Sequence, residues 1–227
     1  MNRTKIVFVT VILCALSAAS ANIFWNNPDG TADYFDWTNG QSLYGLFGDP
    51  MLVGGNTFVF FPSNFRAESS DAQSSTVSDR LEFELIAHQG FGFHGISITE
   101  YGDYGILGHG SVNASGMLSA KNLDTAEVLS ETLSTTPSMP ARMGQGEWEG
   151  WSQVSIGPAG WTRIKITLEN DLFAIAGYGA TAFIEKKVLG SAVAIQIIPE
   201  PATAAILTIG SLLMYCNHRG KNKRNKT

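Results

Sequence analysis

The sequence predicts an antiparallel β-sandwich of jelly-roll or lectin-like type, and three observations carry that expectation. Apolar and polar residues alternate over several short stretches, glycine and Asn/Asp separate those stretches, and almost nothing repeats at helical spacing. In LEFEL, residues 81–85, Leu81, Phe83 and Leu85 share one face while Glu82 and Glu84 take the other. RIKITL at 163–168 sets Ile164, Ile166 and Leu168 against Arg163, Lys165 and Thr167, and AVAIQI at 192–197 gathers Val193, Ile195 and Ile197. Side chains of an extended chain point alternately to opposite faces, so each stretch reads as a half-buried strand.

The remaining elements follow in order. Further strands are expected at 57–61, 95–99, 151–156, 172–178 and 181–188. The serine-rich 68–79 reads as a mobile loop, and Glu169, Asn170 and Asp171 read as a tight hairpin connection. One helical hint exists at 123–133, where Leu129 and Leu133 stand four apart.

The two termini differ from this middle. Arg3 and Lys5 precede an apolar stretch at 6–16, and Ala19-Ser20-Ala21 supplies the small residues a signal peptidase reads, so 1–21 is expected to be a signal peptide. These eleven residues, broken only by Thr10, reach only about 16 Å as a helix, short of a hydrocarbon core of about 30 Å. Cys14 follows Leu13, which does not suit lipid attachment.

At the other end, Pro199-Glu200-Pro201 precedes an uncharged run at 202–216, and Arg219, Lys221, Lys223, Arg224 and Lys226 follow it in the tail at 217–227. A basic flank belongs at the cytoplasmic end of a membrane helix, here a single short one. The prolines predict that the triplet is extended.

This arrangement of triplet, short hydrophobic helix and basic tail resembles the PEP-CTERM sorting signal of Gram-negative bacteria, over residues 199–227. The resemblance implies that Pro199, Glu200 and Pro201 form the recognition motif, 202–216 the membrane segment and the five basic residues a retention flank. It implies an exosortase as processing enzyme, tethering to the inner membrane beforehand, and a destination at the cell surface or in extracellular polysaccharide.

Residues 22–198 are then one extracytoplasmic domain, long enough to bury a core. Of the two cysteines, Cys14 and Cys216 both fall outside it, which removes disulfides from its stability. Two of the 15 basic residues lie in the signal and five in the tail; 8 remain beside 19 acids, a net charge near −11. That excess disfavours nucleic acid and anionic lipid as partners.

Several motifs can be weighed for chemistry. Gly90, Gly92 and Gly95 satisfy G-x-G-x-x-G, but a strand follows instead of the helix a dinucleotide needs, so a turn or bulge is expected. His88, His94 and His109 match no zinc spacing. Asn27, Asp29, Asp33 and Asp36 gather oxygen ligands that calcium favours, though without the EF-hand spacing; an Asx-rich turn is the other reading. Glu82 with Glu84, Glu100 with Asp103, and Glu147 with Glu149 are the carboxylate pairs open to glycoside hydrolysis, the last two expected in turns. No nucleophile elbow is present, and no enzyme is expected.

Trp148, Trp151 and Trp161, with Tyr101 and Tyr104 in YGDYG, could offer flat faces to sugar rings or could fill a core. The expected role is therefore structural or adhesive at the cell surface or in an exopolysaccharide matrix. A lectin-like carbohydrate-binding domain is the alternative, and a secreted glycan hydrolase the third reading.

Overall fold

The computed structural model describes residues 22–157, 160–187 and 193–201. Its strands, in chain order, are β1 (Ile23–Phe24), β2 (Gly30–Thr31), β3 (Phe35–Ser42), β4 (Met51–Val53), β5 (Thr57–Phe60), β6 (Arg66–Ser70), β7 (Ser74–Ala87) and β8 (Phe91–Leu107). They continue as β9 (Gly110–Asn122), β10 (Val128–Thr132), β11 (Ser134–Thr136), β12 (Gly144–Ser155), β13 (Arg163–Ala176), β14 (Thr181–Lys186) and β15 (Val193–Pro201). No helix occurs among the described residues.

Two antiparallel sheets result. Sheet I runs β1-β3-β7-β13-β9-β10, with β2 beside β3; sheet II runs β11-β12-β8-β15-β5-β4, with β14 pairing both β8 and β6. The alternation read from the sequence sets which face is covered. Leu81, Phe83 and Leu85 of β7 and Ile164, Ile166, Leu168 and Leu172 of β13 are buried from sheet I. Ile96 and Ile98 of β8, Phe58 and Phe60 of β5, and Val193, Ile195 and Ile197 of β15 meet them from sheet II. Aromatic contacts bridge the sheets, with ring centroids 5.0 Å apart for Phe58 and Phe83 and 5.5 Å for Trp25, beside β1 of sheet I, and Phe60 of sheet II. The sandwich expected from period two is thus present, resting on apolar burial without disulfides.

Four local expectations are corrected. Residues 169–171 form no hairpin, because 163–168 and 172–176 belong to the single strand β13, whose register with β7 and β9 continues through Asn170, while Gly177 and Tyr178 lie beyond its end. The serine-rich segment is β6, a turn and the start of β7. Asp71 and Ala72 both take positive φ, and the Gln73 amide donates to the Ser70 carbonyl at 3.1 Å, a tight turn that carries the chain from sheet II to sheet I. The helical hint at 123–133 is a connection followed by β10, closed where the Asn122 side chain accepts from the Asp124 amide at 2.8 Å.

YGDYG, finally, is the middle of β8. A Cβ on Gly102 would lie 2.1 Å from the Glu185 carbonyl oxygen and 2.2 Å from Trp148 Nε1. Glycine marks a close approach here, where the sequence suggested a chain reversal. The strand β15 also passes the boundary expected at 198. Pro199, Glu200 and Pro201 pair with Phe93, Gly92 and Phe91 of β8 after a register shift, so the triplet is extended and engaged along one side.

Candidate functional site

Period two also decides which aromatic residues reach solvent. Trp148 and Trp151 stand three apart on β12, and Tyr101 and Tyr104 three apart on β8, so each pair is divided between opposite faces of sheet II. Trp148 is 1% exposed, with its indole N–H donated to the Glu185 carbonyl at 3.1 Å. Tyr104 packs partly buried against the core, as does Trp161, which bridges to Phe93. Buried Trp148 cannot present a ring face to an outside ligand, and Tyr104 lies on the core side of β8, so the four aromatic residues do not form one outward set.

The outward members are Trp151 and Tyr101, 54% and 39% exposed. Trp151 lies opposite Thr99 of β8 and Ser134 of β11, and Tyr101 lies opposite Glu149. The two rings are therefore diagonal neighbours on adjacent strands, with Cα atoms about 7–8 Å apart. The next row outward is Gln153, Ser97 and Gln196 across β12, β8 and β15, a line of amides and a hydroxyl. The Tyr101 hydroxyl donates to Glu149 Oε1 at 3.3 Å. Desolvation first, and the Glu149 charge second, push the Tyr101 phenol up, so it stays protonated and able to donate.

Carboxylates border these rings on one side. Lys187 Nζ lies 2.5 Å from Glu147 and 3.6 Å from Asp103, and Arg66 binds Glu185 at 2.7 Å while its guanidinium sits 4.1 Å above the Phe183 ring. The hydrogen bond to Glu147 chiefly holds Lys187 charged, above the ordinary lysine range.

The carboxylate pairs fare differently from one another. Glu147 and Glu149 lie on the outer face of sheet II within β12, where a turn was expected. Glu82 and Glu84 lie on the outer face of sheet I, with Glu82 held by Lys165 at 2.9 Å and by the Gln41 side chain at 2.9 Å. Glu100 and Asp103 fall on opposite faces of β8 and form no pair.

The calcium candidates are dispersed. Asp29 accepts from the Asn39 amide at 2.9 Å, Asp36 meets His88 Nε2 at 3.0 Å, and the Asn27 carbonyl accepts from the Trp37 indole at 3.3 Å. Asp33 turns its carboxylate toward Gly55. Among the described residues no three His, Cys, Asp or Glu side chains converge for a metal. His94 lies 3.9 Å from Glu200, and the His109 carbonyl accepts from the Gly177 amide, so the histidines serve separate places. Of the glycine fingerprint, Gly90 turns with positive φ and the rest enters β8. Pro199 and Glu200 are placed in β15; residues 1–21 and 202–227, with the apolar segment and its five basic residues, lie outside the described residues.

One cluster escaped the sequence reading. Glu100 of β8, Lys186 of β14 and Asn170 of β13 meet inside the sandwich, where only apolar side chains were expected. Asn170 was read as a turn residue and Glu100 as half of a carboxylate pair in a turn.

No family model matches the chain, and no curated protein matches it. Among solved structures, similarity extends to a family 61 carbohydrate-binding module in complex with β-1,4-galactotriose, at 12% identity over 78% of this chain and 100% of that one, with a TM-score of 0.27. A family 29 module gives 17% identity over 78% and 86%, TM-score 0.21, and a family 4 module 10% over 76% and 90%, TM-score 0.26. With TM-scores this low, the likeness identifies no ligand for this chain.

Proposed function

We propose that the sandwich is a carbohydrate-binding domain of an exported protein, reading neutral polysaccharide with the outer face of sheet II. The observation that carries this reading is the exposed pair Trp151 and Tyr101, set among Ser97, Thr99, Gln153, Gln196 and Glu149. An indole face packs against the C–H face of a sugar ring while amides, hydroxyls and a carboxylate at its edge exchange hydrogen bonds with sugar hydroxyls. Covering on the order of 100 Å² of Trp151 is worth about 2.5 kcal/mol at about 25 cal/mol/Å². Asp103, Glu147, Glu149 and Glu185 outweigh Lys187 and Arg66 along the border, which selects against acidic polymers.

The route outward is the second half of the proposal. The signal-like 1–21 and the resemblance of 199–227 to a PEP-CTERM signal support export, tethering and processing by an exosortase-like enzyme. The matrix role first expected becomes the consequence of binding: a surface protein that holds neutral polysaccharide is adhesive. No catalytic role is proposed.

Affinity electrophoresis of the full chain in gels containing neutral polysaccharides tests the binding. Retardation is expected, and Trp151→Ala or Tyr101→Ala should sharply reduce it while Tyr178→Ala, an exposed residue of the β13–β14 turn, leaves it intact. Equal retardation of all three variants, or none of the wild type on any neutral polymer, overturns the reading. Mass determination of the C-terminus in the mature protein tests the processing.

A further inference from the structure

Glu100, Lys186 and Asn170 are 0%, 3% and 1% exposed, and each comes from a different strand. Lys186 Nζ rests against Glu100 Oε2, and Asn170 Nδ2 donates to Glu100 Oε1 at 3.0 Å. One carboxyl group thus touches both the amine and the carboxamide. Asn170 Oδ1 has no hydrogen-bond partner among the described residues. Around the amine stand the rings of Phe65, Trp148 and Phe47, with centroids 5.2, 5.3 and 5.9 Å from Nζ.

An ion pair alone explains this arrangement poorly. Burial carries a desolvation cost for each charge, and a hydrophobic replacement is often as stable. Desolvation pushes the Lys186 ammonium well below the ordinary lysine range, toward a neutral amine with a free lone pair. A neutral amine is a nucleophile, a carboxamide is an acyl group, and a carboxyl bridging the two can take one proton and return another. The dry enclosure keeps water from competing for the acyl carbon.

We infer that Lys186 and Asn170 become joined by an intramolecular isopeptide bond, formed by the folded chain itself with Glu100 as the proton carrier. The Nζ lone pair attacks Asn170 Cγ, forming the new C–N bond, and Glu100 accepts the proton that Nζ loses. In the tetrahedral adduct Nδ2 acquires a lone pair, takes a proton from the same carboxyl and leaves as ammonia when the Cγ–Nδ2 bond breaks. Amine plus primary amide gives secondary amide plus ammonia, with no oxidant or cofactor. The product links β13 of sheet I to β14 of sheet II across the core, in a domain whose chain carries no cysteine between residues 22 and 201.

Tryptic mapping of the purified full chain, unfolded before digestion, decides the matter. Trypsin cuts after Lys165, Lys186 and Lys187 in an unlinked chain, and no lysine or arginine lies between 165 and 186. The linked chain should release residues 166–187 as one peptide, lighter by one ammonia, because an acylated Lys186 resists cleavage. Recovery of residues 166–186 at full mass overturns the proposal. So does the same peptide short of ammonia but cleaved after Lys186, since that signals a succinimide at Asn170-Asp171. Glu100→Gln keeps the shape and removes the proton carrier, so it should yield the unlinked peptide; a linked peptide from that variant contradicts the role of Glu100. If Glu100→Gln fails to fold, the wild-type digest alone still gives the answer.

Discussion

The outer faces of the two sheets obey the same alternation and end in different states. Across the middle of sheet I, polar side chains engage one another: Lys165 and Gln41 both hold Glu82, and Ser119 bonds Ser130 at 2.9 Å. Its exposed apolar groups are single residues such as Met117, Ile175 and the edge residue Phe24. Sheet II instead leaves an indole and a phenol uncovered near the middle of its two longest central strands, ringed by amides and hydroxyls. A face whose polar groups are already paired has little to offer a ligand. A face with bare rings beside polar groups gains from being covered, and that difference is the reason the proposed binding surface is the outer face of sheet II.

Changes on either side of sheet II, and on sheet I, sharpen this contrast. The largest effect belongs to Trp148→Ala, which empties the core side of β12 and should cost about 3–5 kcal/mol of stability, read as a lower denaturation midpoint. Trp151→Ala, three positions along the same strand, should weaken polysaccharide binding by about 2 kcal/mol, roughly thirtyfold, while stability moves within about 0.5 kcal/mol. Equal losses of stability in the two variants would erase the distinction between the faces of the sheet. On sheet I, Lys165→Ala should cost about 1 kcal/mol and leave binding unchanged, because its ion pair with Glu82 is only partly buried and Gln41 still holds the carboxylate.

The smallest effect is a pH dependence at the edge of sheet I. The hydrogen bond that His88 donates to Asp36 raises His88 above its ordinary 6.5, and the same bond lowers Asp36 below 3.8. The His88 contribution is complete below 6.5 and is lost as pH rises through the folded value; that of Asp36 is present above 3.8 and is lost as pH falls through its folded value. Thermal melting of His88→Gln across this range should show both slopes flattened. A wild-type slope in the variant would place the titration elsewhere.

How much of this was legible depends on what a residue faces. Leu81, Phe83, Leu85, Ile164, Ile166 and Leu168 announced their inward face because alternation of apolar and polar residues is the physical record of a half-buried strand. Gly102, Asn170 and Glu100 were misread for the same reason inverted: a glycine or polar residue at an inward position breaks the pattern and looks like a turn. Only the partner across the core reveals why each is there, Trp148 over Gly102 and Lys186 against Glu100. The division of the aromatic residues was available earlier. Positions 148 and 151, like 101 and 104, differ by an odd number and cannot share a face of one regular strand. The serine-rich 68–79 concealed strands because hydroxyls suit an exposed strand face as well as a loop.

Chemical-shift mapping of the isotope-labelled protein, titrated with neutral oligosaccharides, tests the central claim most directly. The account predicts that the Trp151 indole and the amides of Ser97, Thr99, Tyr101 and Gln153 move together and saturably, while β7 and β13 stay still. Shifts gathered on Glu82, Glu84 and Lys165 of sheet I, or no movement at Trp151 with any neutral sugar, would contradict it.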